Sequence, residues 1–222
     1  MLCHALHTTE TTHNHIMAQD TQHHTLSDRL RNHTANFTRN VGESVHRLGI
    51  HPDAVSVAAL LLCAGAAVAI GNGRFVLAGW LVFWGGIFDV ADGAVARARG
   101  QVTSYGAVLD STLDRYADGF IFFSFGYYFA SQNQLAWMLL SFAALMGAYG
   151  VSYVRARANG PDVGVAIRSG WFTRFERMVI VMIALWFHHW LLLPGLLLLA
   201  AGTHVTVAQR LWIVRKNTTE VK

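Results

Sequence analysis

The stretch Asp89-Val-Ala-Asp92-Gly93-Ala-Val-Ala96-Arg97, followed after eight residues by Gly106-Ala-Val-Leu-Asp110-Ser-Thr-Leu-Asp114, sets four carboxylates inside a sequence that otherwise reads as built for lipid. On a helix, Asp89 and Asp92 are three apart and Asp110 and Asp114 four apart, so each pair shares a face. Two such faces brought together form a four-carboxylate cup. Without a counter-ion the charges would repel, each carrying a desolvation cost of several kcal/mol. Divalent cations remove that objection, and an all-oxygen cup suits Mg²⁺, Mn²⁺ or Ca²⁺ rather than zinc. The alternative is a set of solvated helix ends paired with Arg97, Arg99 and Arg115. Acids at two helical spacings favour the functional reading, because ionisable groups in membrane segments are functional by default. Gly93, Ala96 and Gly106 lack bulk and let a ligand or a neighbouring helix approach the backbone.

Outward from this stretch, the chain has 222 residues, 53% hydrophobic and only 14% charged, with a mean hydropathy of +0.34. That is one domain of a polytopic membrane protein. Cys3 and Cys63 indicate neither a disulfide framework nor a zinc site. Residues 1–25 are polar and rich in His, and a disordered leader is expected there, with no cleaved signal peptide. Over 26–48, Leu26, Leu30, Phe37, Val41, Val45 and Leu48 recur at helical intervals among Arg29, Arg31, Arg39 and Arg47, which predicts an amphipathic helix on the membrane surface. Six apolar stretches follow in a 54–213 catalytic domain, at 54–70, 75–96, 106–129, 135–154, 175–190 and 193–213. The expected fold is all-α, with six transmembrane helices, an N-terminal interfacial helix and a tail at 214–222. The turn splitting the last two spans is expected between His188-His189 and Pro194-Gly195.

Charge decides the orientation. Among 17 Lys and Arg residues, only Arg74 falls in a loop on the side opposite the amino terminus. This asymmetry predicts both chain ends and the carboxylates at the cytoplasmic face. The net charge of +4 and pI near 9.4 then follow from topology and anionic headgroups. No aromatic-basic nucleic-acid motif appears.

The pattern Asp89-x2-Asp92-Gly93-x2-Ala96-Arg97-x8-Gly106-x3-Asp110-x3-Asp114 resembles, at every fixed position, the signature of the CDP-alcohol phosphotransferases, integral-membrane enzymes of phospholipid synthesis. The resemblance implies transfer of a phosphatidyl or similar phospho-alcohol group from a CDP-linked lipid, such as CDP-diacylglycerol, to the hydroxyl of a small polar acceptor, with release of CMP. It implies two Mg²⁺ or Mn²⁺ ions on Asp89, Asp92, Asp110 and Asp114, with Asp114 as the catalytic base. It also implies a CDP site at Asp89, Asp92, Gly93, Ala96, Arg97, Gly106 and Asp110, and a homodimer in the membrane. Asp118, one turn beyond Asp114, is expected to pair with Arg115.

A second constellation is basic. Ser152-Tyr153-Val154-Arg155-Ala156-Arg157-Ala158 ends the fourth span, Thr173-Arg174-Phe175-Glu176-Arg177 leads into the fifth, and Arg210 lies near the inner end of the sixth. Arginine forks match phosphate geometry. The segment resembles the subgroup that uses inositol phosphate as acceptor, which assigns the acceptor phosphate to Arg155, Arg157, Arg174, Arg177 and Arg210. Glycerol 3-phosphate is the next acceptor to consider. A cation transporter would also hold acids in a membrane, but it calls for broken helices and an internal repeat, and neither is evident.

Overall fold

The computed structural model describes residues 52–98, 103–167 and 170–219, and these are helical apart from short connections. The expected leader at 1–25 and the interfacial helix at 26–48 lie outside the described residues. Among the described residues six helices follow one another: α1 (Pro52–Gly71), α2 (Phe75–Ala98), α3 (Ser104–Ser131), α4 (Leu135–Ala158), α5 (Arg174–Trp186) and α6 (His188–Thr219). Ala54–Gly71, Leu135–Ala158 and His188–Thr218 are long and apolar enough to cross a membrane, and α2 adds a shorter apolar run, Phe75–Ala91. The acids and the arginine in its first half set α3 apart from these.

The turns follow from residue chemistry. After α1, the Gly73 amide donates to Ile70 O and the Arg74 amide to Ala69 O, each at 2.8 Å, with Gly73 at φ 71°. After α3, the Asn133 amide donates to Ala130 O and the Gln134 amide to Phe129 O, with Asn133 at φ 57°. Both are left-handed helix caps, one using glycine and the other asparagine, the two residues that tolerate that conformation. They permit three-residue connections, so α1 runs back beside α2 and α3 beside α4.

Packing closes the helices into a ring in the order α1, α2, α5, α6, α4, α3 and back to α1. Its apolar core, including Ile70, Phe75, Ile121, Phe122, Phe125, Phe129, Leu185 and Leu199, fills the half near the short turns. The aromatic run of α3 therefore divides by face: Phe122, Phe125 and Phe129 point inward, whereas Phe123 and Tyr127 are exposed. Leu61, Val68, Met146 and Trp190 are at least 66% exposed, an apolar exterior suited to lipid.

In lipid no hydrophobic effect draws helices together, so close van der Waals fit has to do it. Gly147 and Gly150 of α4 face Thr203 and Val207 of α6. A Cβ on Gly147 would lie 2.8 Å from the Thr203 Cβ and closer still to its hydroxyl. Gly147→Val is expected to wedge α4 from α6 and destabilise the protein by about 1–3 kcal/mol, the usual range for overpacking. Thermal unfolding in detergent measures this, and Thr203→Ala in the same chain should return part of the loss.

Two boundaries depart from expectation. The break between the last two helices falls at Phe187, and Pro194 lies inside α6. Proline removes one amide donor and strains the preceding turn, but here it sits in the second turn of a 32-residue helix whose packing carries it through. Consequently α5 has only 13 residues, while α6 runs past Ile213 to Thr219. A helix of 13 residues spans about 20 Å, short of the ~30 Å of a hydrocarbon core. Ahead of α5, the connection from α4 folds inward. Asn159 Oδ1 accepts from the Ile167 amide at 3.0 Å, Ile167 is buried, and the Phe172 ring packs on Gly202 of α6.

Candidate active site

The polar residues gather at the end of the ring opposite the core. α3 starts at Ser104, two residues before the expected span, because Thr103 caps it: the Thr103 hydroxyl oxygen accepts from the Gly106 amide at 3.0 Å. That start sets the register of the following turns. Asp110 and Asp114, one turn apart on α3, meet Asp89 of α2, and one carboxylate oxygen from each lies within 4.8 Å of the others. Asp92, Gly93, Ala96 and Arg97 fall on the last turns of α2, with side chains outside the described set.

Three convergent carboxylates make an all-oxygen donor set of the kind Mg²⁺ and Mn²⁺ prefer, so the residues fit a divalent metal. Arg174 lies against the same group. Its guanidinium pairs with Asp89 and, at 2.8 Å, with Asp114 Oδ1. Arg115 makes a longer contact to Asp114, at 3.4 Å, and donates to the Ser111 carbonyl of its own helix.

One turn deeper, Arg177 Nη2 donates to Asp118 Oδ2 at 2.6 Å, both side chains 1% exposed. Asp118 thus pairs with Arg177 of α5, not with Arg115. It lies on the inward stripe of α3 with Phe122, Phe125 and Phe129, so only a residue from across the ring can meet it. The sequence signal for this pair is a one-turn spacing on each helix, four residues from Asp114 to Asp118 and three from Arg174 to Arg177. Tyr149 carries no comparable sequence signal: its hydroxyl donates to Arg115 O at 2.9 Å and ties α4 to α3 beside the acids.

The remaining arginines divide. Arg210 is 2% exposed, donates through Nη1 to Val151 O at 2.6 Å, and keeps a buried Nε with no partner. Arg155 and Arg177 are close enough to act on Arg210 electrostatically. Arg157 points outward to Asp162 at 2.8 Å, with both side chains exposed. An acidic cluster and a basic cluster therefore adjoin, and α5 contributes to both. Such a pair of fields can hold a metal on one side and an anionic group on the other.

Comparison with known proteins bears on this arrangement. A family model for CDP-alcohol phosphatidyltransferase matches residues 49–210. The chain is 33% identical over 190 residues to the phosphatidylinositol phosphate synthase of Mycobacteroides abscessus, covering 82% of this chain and 86% of that one. It is 33% identical over 177 residues to the archaetidylinositol phosphate synthase of Pyrococcus horikoshii, covering 80% and 90%. The phosphatidylinositol phosphate synthase of Mycobacterium tuberculosis has a similar structure. With CDP-DAG bound it gives a TM-score of 0.73 at 29% identity, covering 81% of this chain and 94% of that one. In complex with manganese and citrate it gives 0.70 at 28%, covering 80% and 88%. The match spans all six helices except the end of α6, and the converging aspartates of α2 and α3 lie within it. This chain belongs to the CDP-alcohol phosphatidyltransferase family, membrane enzymes that transfer substituted phosphate groups in phospholipid synthesis.

Proposed function

We propose that this enzyme transfers a phosphatidyl or similar phospho-alcohol group from a CDP-linked lipid to the hydroxyl of inositol phosphate, releasing CMP. The observation that carries the reading is the convergence of Asp89, Asp110 and Asp114 beside Arg174. The synthases similar to this chain, one of them solved with CDP-DAG and with manganese, support it.

Asp89, Asp92, Asp110 and Asp114 would hold two Mg²⁺ or Mn²⁺ ions, which would neutralise the pyrophosphate and the leaving CMP. Gly93, Ala96 and Gly106 leave room for the CDP moiety, and Arg97 meets its phosphates. The acceptor hydroxyl attacks the lipid-side phosphorus, the bond from that phosphorus to the CMP oxygen breaks, and Asp114 takes the hydroxyl proton. Arg155, Arg157, Arg174, Arg177 and Arg210 supply the positive field for the acceptor phosphate. Within that set Arg174, Arg177 and Arg210 each keep a buried Nε without a partner, a donor that an anion would satisfy. The expected setting is six spans with both termini and the site cytoplasmic, in a homodimer.

An acceptor screen tests the reading. Purified protein, CDP-diacylglycerol and Mg²⁺ or Mn²⁺ are incubated with inositol phosphate, glycerol 3-phosphate, inositol or serine, and the lipid products are weighed by mass spectrometry. A phosphorylated inositol lipid is expected with release of CMP. A product from glycerol 3-phosphate or an unphosphorylated alcohol overturns the acceptor, and no CMP from any mixture overturns the transfer.

A further inference from the structure

Arg174 sits at an unfavourable end of its helix. It opens α5, where unpaired amides create a positive potential that disfavours a cation, and Glu176 in the same turn offsets only part of it. Its guanidinium is nonetheless drawn inward to Asp89 of α2 and Asp114 of α3. Its Nε is buried with no partner, so the two carboxylates outweigh an incomplete set of hydrogen bonds.

The neighbouring pair behaves differently. Arg177 and Asp118 are sealed at 1% exposure and neutralise each other. Arg174, Asp89 and Asp114 keep side-chain exposures of 23%, 25% and 16%, so ions can reach them. Asp89 and Asp114 are also two of the three carboxylates that fit a metal. A guanidinium and a divalent ion cannot both take the same oxygens at contact distance.

We propose that Arg174 is an exchangeable internal counter-ion, which competes with the divalent metal for Asp89 and Asp114 and is released when the metal binds. The inference rests on the metal-dependent reading above. Arg177 and Asp118 hold α5 in place, so Arg174 can exchange without loss of the helix. Competition lowers the apparent metal affinity, because the cup is available only in the fraction of molecules where Arg174 has let go. By linkage, an anion that engages the released Arg174 tightens metal binding, and the metal tightens anion binding by the same factor.

Mn²⁺ titration of the detergent-solubilised full chain without substrate, read from the electron paramagnetic resonance signal of free Mn²⁺, tests the exchange. Arg174→Gln is expected to bind Mn²⁺ about tenfold more tightly than wild type, within the usual range of coupling between sites. Lys216→Gln removes an equal charge from an exposed side chain in the last turn of α6. It should change the affinity less than about twofold, because screening weakens such charges. Inorganic phosphate should tighten Mn²⁺ binding to wild type but not to Arg174→Gln. Equal affinity in wild type and Arg174→Gln, or equal gains in the two variants, overturns the exchange and leaves the metal centre standing. Absence of any Mn²⁺ binding sensitive to Asp110→Asn overturns the metal reading and this inference with it.

Discussion

Asp114→Asn is expected to lower the rate of CMP release by about 10³-fold or more, the combined effect of losing the proposed proton acceptor and metal ligand. Asparagine has the same shape, so α3 and its packing stay as they are. What disappears is the charge and the ability to take a proton. Arg174 keeps its partner on Asp89, so the mutation does not strand a cation. The folded state should therefore melt within a few degrees of wild type while the chemistry fails. Asp110→Asn provides the comparison: a residue that only holds metal should recover part of its rate at raised Mg²⁺ or Mn²⁺, and Asp114→Asn should not. An Asp114→Asn enzyme retaining a tenth of the wild-type rate would falsify the assignment of the base.

The second large effect is on the fold. Asp118→Asn leaves the Arg177 guanidinium buried without a counter-charge at a site where both partners are 1% exposed. Breaking such a pair from one side costs about 3–5 kcal/mol, a large part of a total stability of about 5–15 kcal/mol. The expected result is a steep fall in melting temperature, with little folded protein recovered from detergent. Replacing both partners, Asp118→Leu with Arg177→Met, removes the stranded charge and should restore most of the lost stability. A single Asp118→Asn variant as stable as wild type would mean that solvent reaches the pair.

The sequence disclosed the site better than its supports. Asp89, Asp110 and Asp114 stand at fixed helical spacings, and period alone puts Asp110 and Asp114 on one face; the structure brings all three together. For Asp118 the local rule favours Arg115 three residues away on the same helix, whereas its partner lies 59 residues further along the chain. Periodicity describes which face a residue occupies but not which helix will cover it. The break at Phe187 was hidden for another reason. Proline is the strongest breaker a sequence can show, and here the helix continues through Pro194. The close fit of Gly147 to Thr203 was invisible too, since a glycine in an apolar run carries no mark of what it faces.

The brevity of α5 has a consequence for how reactants of opposite solubility meet. Its neighbour in chain order, α4, has 24 residues against 13, so one stave of the barrel is about 16 Å shorter than the other. The acids and arginines around Arg174 therefore stand on a recessed floor. Ions and water can reach it, since Arg174, Asp89 and Asp114 all stay partly exposed. The transfer proposed above, from an oily donor to a polar alcohol, calls for such a landing, where neither partner has to enter the other's solvent.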